Sequence, residues 1–131
     1  MRFFFDNQLS PYLAEAIGAL SKPAKDEVAH LRSKFPQNTK DTEWIPALAK
    51  EGGWIVISGD LNIIRTRAEK PIWKEAKLTG FFLKAGWIEI TPWEQAAKLV
   101  RVWPLIIQQA GIAAPGSTYL VPVSGNKIET V

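Results

Sequence analysis

Two short runs of bulky apolar residues, Phe3-Phe4-Phe5 and Trp54-Ile55-Val56-Ile57, each lead into an aspartate, directly at Asp6 and through Ser58-Gly59 at Asp60. Neither run alternates apolar with polar residues, so both read as strands covered on two faces. A sheet covered twice needs helices between its strands, and the intervening residues supply them. Ser10 offers an N-cap and Pro11 the favoured first helical position, with Leu13, Ala16, Ile17 and Leu20 following at helical spacing. Glu27 to Leu31 reads as a second short strand, and Arg32 to Lys40, with Pro36 and Asn38, as a polar loop. A helix is predicted from Asp41 to Glu51, with Trp44, Ile45, Leu48 and Ala49 on one face and Gly52-Gly53 ending it. Pro46 must lie near its first turn or bend it. The order strand, helix, strand, helix, strand predicts a three-layer α/β domain with a mainly parallel central sheet.

Beyond Asp60, residues 61–79 are basic and partly helical in pattern, and Phe81-Phe82-Leu83 is a further strand candidate. From Pro92 to about Gln109, Trp93, Ala96, Ala97, Val100, Trp103 and Ile107 repeat at helical spacing, with Pro104 expected to kink the helix. Tyr119 to Val123 reads as a last edge strand, because Pro122 cannot serve a central ladder. There is no internal repeat and no low-complexity linker, so residues 1–131 are expected to form a single domain. The chain has no cysteine and one histidine, His30, which excludes a disulfide framework, thiolate zinc sites and histidine-cluster metal sites. No stretch approaches the roughly 20 apolar residues of a membrane span, and Asp6 interrupts the start before a signal-peptide core forms. A soluble, cytoplasmic protein with no membrane partner is expected.

Parallel strands place Asp6 and Asp60 on one edge of the sheet. Carboxylates held close repel one another, so convergence there calls for protons or a divalent cation. Oxygen ligands favour Mg²⁺ or Mn²⁺, and such a site suits metal-assisted phosphodiester hydrolysis. Plainer roles stand beside this one. Asp41 is a good N-cap, Asp60 can solvate a loop, and Asp6-Asn7 can be turn chemistry. His30, in an apolar strand candidate, reads as structural.

The combination of Phe3-Phe4-Phe5-Asp6-Asn7-Gln8-Leu9-Ser10-Pro11, Asp41-Thr42-Glu43-Trp44-Ile45 and Trp54-Ile55-Val56-Ile57-Ser58-Gly59-Asp60 resembles the PIN-like ribonucleases, particularly the short VapC-like branch among bacterial toxin–antitoxin proteins. The resemblance implies a PIN-like, Rossmann-like domain and a metal-dependent endoribonuclease acting on RNA. It also implies that the protein is the toxin of a type II module, with Mg²⁺ or Mn²⁺ on Asp6, Asp41 and Asp60. Asp6 and Asp60 would bind the ion directly, and Asp41 directly or through water. Glu43 is a reserve ligand. Two residues after the third acid the family often carries another aspartate; here Asn62 stands there, an oxygen ligand without charge. The resemblance further implies a homo-oligomer and a cognate antitoxin occupying the catalytic groove. A non-catalytic interaction or regulatory protein on the same scaffold is the alternative.

The charge distribution bears on the same question. Of sixteen basic and thirteen acidic residues, residues 61–84 hold six and two, a local excess of four against +3 for the whole chain. Arg65, Arg67, Lys70 and Lys74, with Lys77, follow Asp60 and can grip phosphates of an RNA; a solvated helix face is the plainer reading. Trp73 among them can stack on a base, or serve as a core or subunit-interface tryptophan. Trp73, Trp87, Trp93 and Trp103 all follow residue 70, more than one small core is expected to hide, which predicts a homodimer surface or a partner's groove.

Overall fold

In the computed structural model, which describes residues 1–131, Arg2–Phe5 form β1, flanked by β2 (Glu27–His30) and β3 (Trp54–Ser58) and parallel to both. Strands β4 (Thr79–Leu83), β5 (Thr118–Val121) and β6 (Glu129–Thr130) extend the sheet beyond β3, giving the order β2-β1-β3-β4-β5-β6. Only the β5–β6 pairing is antiparallel. The helices are α1 (Pro11–Ser21), α2 (Leu31–Lys34), α3 (Asp41–Glu51), α4 (Asn62–Arg65), α5 (Lys70–Ala76) and α6 (Pro92–Ile112).

The pleat of β1 explains the layering. Phe3 and Phe5 point to one face and join Leu13 and Ile17 of α1 and Leu99, Val102 and Ile106 of α6. Phe4 points to the other and meets Trp44, Ile45 and Leu48 of α3, with Ile63 of α4 and Trp73 of α5. Its ring centroid lies 4.9 Å from that of Trp44, while Phe3 lies 4.8 Å from Trp103. All three phenylalanines are fully buried, each stabilising the fold by about 1.5–3 kcal/mol through loss of apolar surface.

Several local outcomes differ from the sequence reading. The polar segment after β2 opens with the single turn α2, because the His30 side chain caps it by accepting from the Arg32 N–H at 3.1 Å. One turn is too short to leave a periodic pattern. Pro46 sits inside α3 on its exposed side, where a carbonyl lacking its helical donor faces water. The strand at Thr118–Val121 is not an edge: it stops before Pro122, and β6 covers its outer side. Five of the six tryptophans are buried, Trp87 and Trp103 on the α1–α6 side and Trp44, Trp54 and Trp73 on the other, because a twice-covered sheet offers two cores. Trp93 alone stands out, 85% exposed.

Trp73 is held by its indole N–H, which donates to Thr118 Oγ1 at 3.0 Å, and its ring lies over Gly80 of β4. A Cβ at Gly80 would stand 2.5 Å from Trp73 Cζ2 and 2.8 Å from Phe82 Cε2, distances real atoms do not keep. Gly80→Ala is therefore expected to lower the unfolding free energy by about 1–3 kcal/mol, the usual cost of overpacking, as measured by urea denaturation. An unchanged midpoint would show that Trp73 is not anchored there.

Candidate metal centre

The chain leaves β1 toward β2 on one side and later fills β3 on the other, so the crevice at the carboxyl ends of β1 and β3 is the switch point where open α/β sheets bind ligands. The Asp6 N–H continues the ladder to Ile57 O at 3.2 Å. Asp6 thereby comes to lie beside Ser58. Its Oδ2 accepts from the Ser58 hydroxyl, and its Oδ1 from the N–H groups of Gln8 at 3.1 Å and Gly59 at 3.4 Å. Ser58 Oγ in turn accepts from the Asp60 N–H at 2.9 Å. Asp6 thus fixes the turn that carries Asp60.

Three other carboxyl groups meet in front of this turn. One oxygen from each of Asp41, Asp60 and Glu69 lies within 4.8 Å of the others, a spacing that three ligands of one ion can adopt. They line an open cavity of about 420 Å³ together with Asn7, Gln8 and Lys40. Asp41 occupies the first residue of α3, but the N-cap is Lys40; the Asp41 carboxylate accepts instead from the Trp44 indole at 2.8 Å. Asp60 uses Oδ1 to accept from the Asn62 N–H at 3.0 Å, so it does perform turn chemistry while facing the other acids. Glu69 precedes α5 and caps nothing, and its buried Oε2 has no hydrogen-bond partner. Three carboxyl groups this close call for protons or a divalent cation, and their oxygens suit a hard ion such as Mg²⁺ or Mn²⁺.

The titration behaviour follows from this crowding. Burial, opposed by the bonds from Ser58, Gln8 and Gly59, pushes Asp6 up to about 7. Loss of solvent, then the nearness of Asp41 and Asp60, pushes Glu69 up to about 7. Asp60 is raised as well, by desolvation first and Asp41 next.

A family model described as a PIN like domain matches residues 1–85, which span β1 through β4 and contain all of these acids. The chain belongs to the PIN-like domain family. PIN-like domains are typically nucleases and generally use divalent metals. No curated protein and no solved structure matches the chain significantly.

Of the site residues inferred from sequence, this PIN-like domain brings Asp41 and Asp60 together. Asp6 is not in that group: only 2% exposed and held by three donors, it stands beside Asp60, and Glu69 is the third member. Glu43 is exposed on α3 outside the cluster, and Asn62 is exposed at the start of α4. Arg65, Arg67, Lys70 and Lys74 are all exposed; none lines the acidic cavity, although Arg67 and Lys70 bracket Glu69 in the chain. Trp73 is core. His30 is structural, its Nε2 donating to Leu9 O at 2.7 Å while Nδ1 accepts from Arg32, which fixes a neutral ring. Burial lowers its pKa in agreement with that role. Glu69 was missed because it lies inside a basic stretch; a lone acid among Arg65, Arg67, Lys70 and Lys74 was the available signal.

A carboxyl group whose pKa is higher folded than unfolded contributes stability at low pH that is lost as pH rises through the folded value. In chelator, the stability of Asp6→Asn relative to wild type is therefore expected to improve as pH rises from about 4 to about 8, since the amide keeps acceptor capacity but carries no charge. Urea midpoints across that range test this, and a difference independent of pH would refute it.

Proposed function

We propose that this protein is a divalent-metal-dependent ribonuclease, with Asp41, Asp60 and Glu69 as ligands and Asp6 as the residue that positions Asp60. The observation that carries the reading is the meeting of three carboxylates, one with an orphaned buried oxygen, at the carboxyl edge of a PIN-like sheet. When bound, Mg²⁺ or Mn²⁺ supplies Lewis-acid polarisation of the phosphate and acidifies water. The chain's own part is to hold that charge in place. Asp6, through Ser58, keeps the Asp60 turn from relaxing away from the other acids. Lys40, on the cavity wall beside Asp41, is placed to meet a phosphate oxygen, and Arg65, Arg67, Lys70 and Lys74 extend positive charge along the chain flanking Glu69. Their separation from the acids favours contacts to flanking phosphates over contacts to the scissile one.

We also read residues 1–131 as one PIN-like domain. Residues beyond the family match supply α6, β5 and β6: α6 and β5 share a core with β1 and α1, and β5 and β6 continue the same sheet. The finer reading, a VapC-like toxin neutralised by an antitoxin and acting as a homo-oligomer in the cytoplasm, is supported by the likeness of the three acidic segments.

Purified protein is expected to cleave RNA with Mg²⁺ or Mn²⁺ and to lose cleavage in EDTA. Removing groups that merely support metal ligands costs about 10–100-fold, so Asp60→Asn and Glu69→Gln should lower the rate by about a hundredfold or more, and Asp6→Asn by less. If the wild-type protein shows neither metal-dependent cleavage nor metal-dependent thermal stabilisation, the chain is a non-catalytic member of the family. For RNA binding, Arg67→Ala and Lys70→Ala are each expected to weaken affinity for all sequences alike. Each should flatten the dependence of log K on log salt by about 0.7, the value of one lost contact to a single strand. Loss confined to particular sequences would instead assign these residues to base reading.

A further inference from the structure

Trp44 is fully buried, and a buried indole N–H needs an acceptor. Asp41, three residues earlier and so on the same surface of α3, supplies one, its Oδ1 accepting from the indole at 2.8 Å. The ring has little freedom to follow a moving partner. It lies 4.9 Å from Phe4 of β1, centroid to centroid, and packs in one core with Leu48, Ile63 and Trp73. A carboxylate bonded to so fixed a donor is held in orientation as well as in place. Asp60 is held in a similar way, its Oδ1 accepting from the Asn62 N–H at 3.0 Å. Each of the two aspartates lining the acidic cavity therefore has one oxygen bonded to a donor of the fold and one that is not.

That division bears on which ion the cavity takes. Small ions of the Mg²⁺ and Mn²⁺ class bind through single carboxylate oxygens and retain waters, for which an open cavity of about 420 Å³ leaves room. Ca²⁺ gathers about six to eight oxygens and readily draws both oxygens of one carboxylate. For Asp41 to give both, Oδ1 has to share its electron pairs with the indole or break from it, and breaking strands a buried N–H in the core. We propose, on the metal-dependent reading above, that Trp44 is a positioning residue of this site. Its indole holds Asp41 to a contact through one oxygen, and so sets a preference for a small, water-retaining ion over Ca²⁺. The preference is built from the core outward: Phe4 fixes the Trp44 ring, the ring fixes the Asp41 carboxylate, and the carboxylate meets the ion.

Calorimetric titration of the full chain with Mn²⁺ and with Ca²⁺ tests this without RNA and without activity. Trp44→Phe keeps an aromatic ring in the core and removes the donor. The Mn²⁺ dissociation constant should rise by about tenfold, the lower end of what losing a group that supports a metal ligand costs. That for Ca²⁺ should stay level or fall, so the ratio of the two moves by about tenfold or more toward Ca²⁺. Where the smaller ring unfolds the chain, benzothienylalanine at position 44 keeps the shape of tryptophan without its N–H, and the same shift is expected. Phe4→Leu loosens the packing around Trp44 and leaves the donor in place; it should lower the urea midpoint and leave the ratio unchanged. A ratio that stays put when the donor is removed, or that moves as far in Phe4→Leu, overturns the role of Trp44 and leaves the nuclease reading standing. Wild-type protein that binds neither Mg²⁺ nor Mn²⁺ overturns both.

Discussion

Everything at the carboxyl edge of the sheet depends on the parallel pairing of β1 with β3. Register Phe5 with Ile57 sets Asp6 beside Ser58, and the hydroxyl of Ser58 then links the Asp6 carboxyl to the Asp60 backbone. Two segments more than fifty residues apart thus become one rigid turn. A slip of one residue would reverse the faces of Phe3, Phe4 and Phe5 and separate the two acids, so core packing on both sides of the sheet enforces the position of the functional groups. The buried phenylalanines are in this sense part of the site.

The acidic cluster is a place where the fold accepts a local penalty. Asp6 and Glu69 titrate near 7 and Asp60 is raised, so near neutral pH the edge holds more negative charge than its surroundings favour. Burial is the leading cause in each case and mutual repulsion adds to it. Folding positions these groups against their electrostatic preference, and the large apolar layers on either side supply the stabilisation. Under the proposed function, a divalent cation would relieve this repulsion, so that metal binding would also stabilise the fold.

Much of the architecture was legible because its signals were local. The uninterrupted runs at Phe3–Phe5 and Trp54–Ile57, the Ser10-Pro11 helix start and the Gly52-Gly53 stop all act within a few residues, and each element formed where these signals placed it. The interior position of β5 and the burial of five tryptophans were not legible, since both depend on which segments share a face. Glu69 illustrates the limit best. It reaches Asp41 and Asp60 only because α4 and α5 fold the basic segment back over α3, and no spacing along the chain encodes that approach.

By itself, the sequence determined the α/β class, the parallel edge bearing Asp6 and Asp60, and the membership of residues 1–85 in the PIN-like family, because apolar runs, caps and breakers work at short range. Only the tertiary structure decided which acids meet. It brought Glu69 up to Asp41 and Asp60, tied the Asp6 carboxyl to the Ser58 hydroxyl beside them, and left Trp93 as the one tryptophan in solvent. The physical reason is the same throughout: electrostatic convergence and solvent exposure are properties of surfaces brought together by packing, and they exist only once the two cores have closed on the sheet.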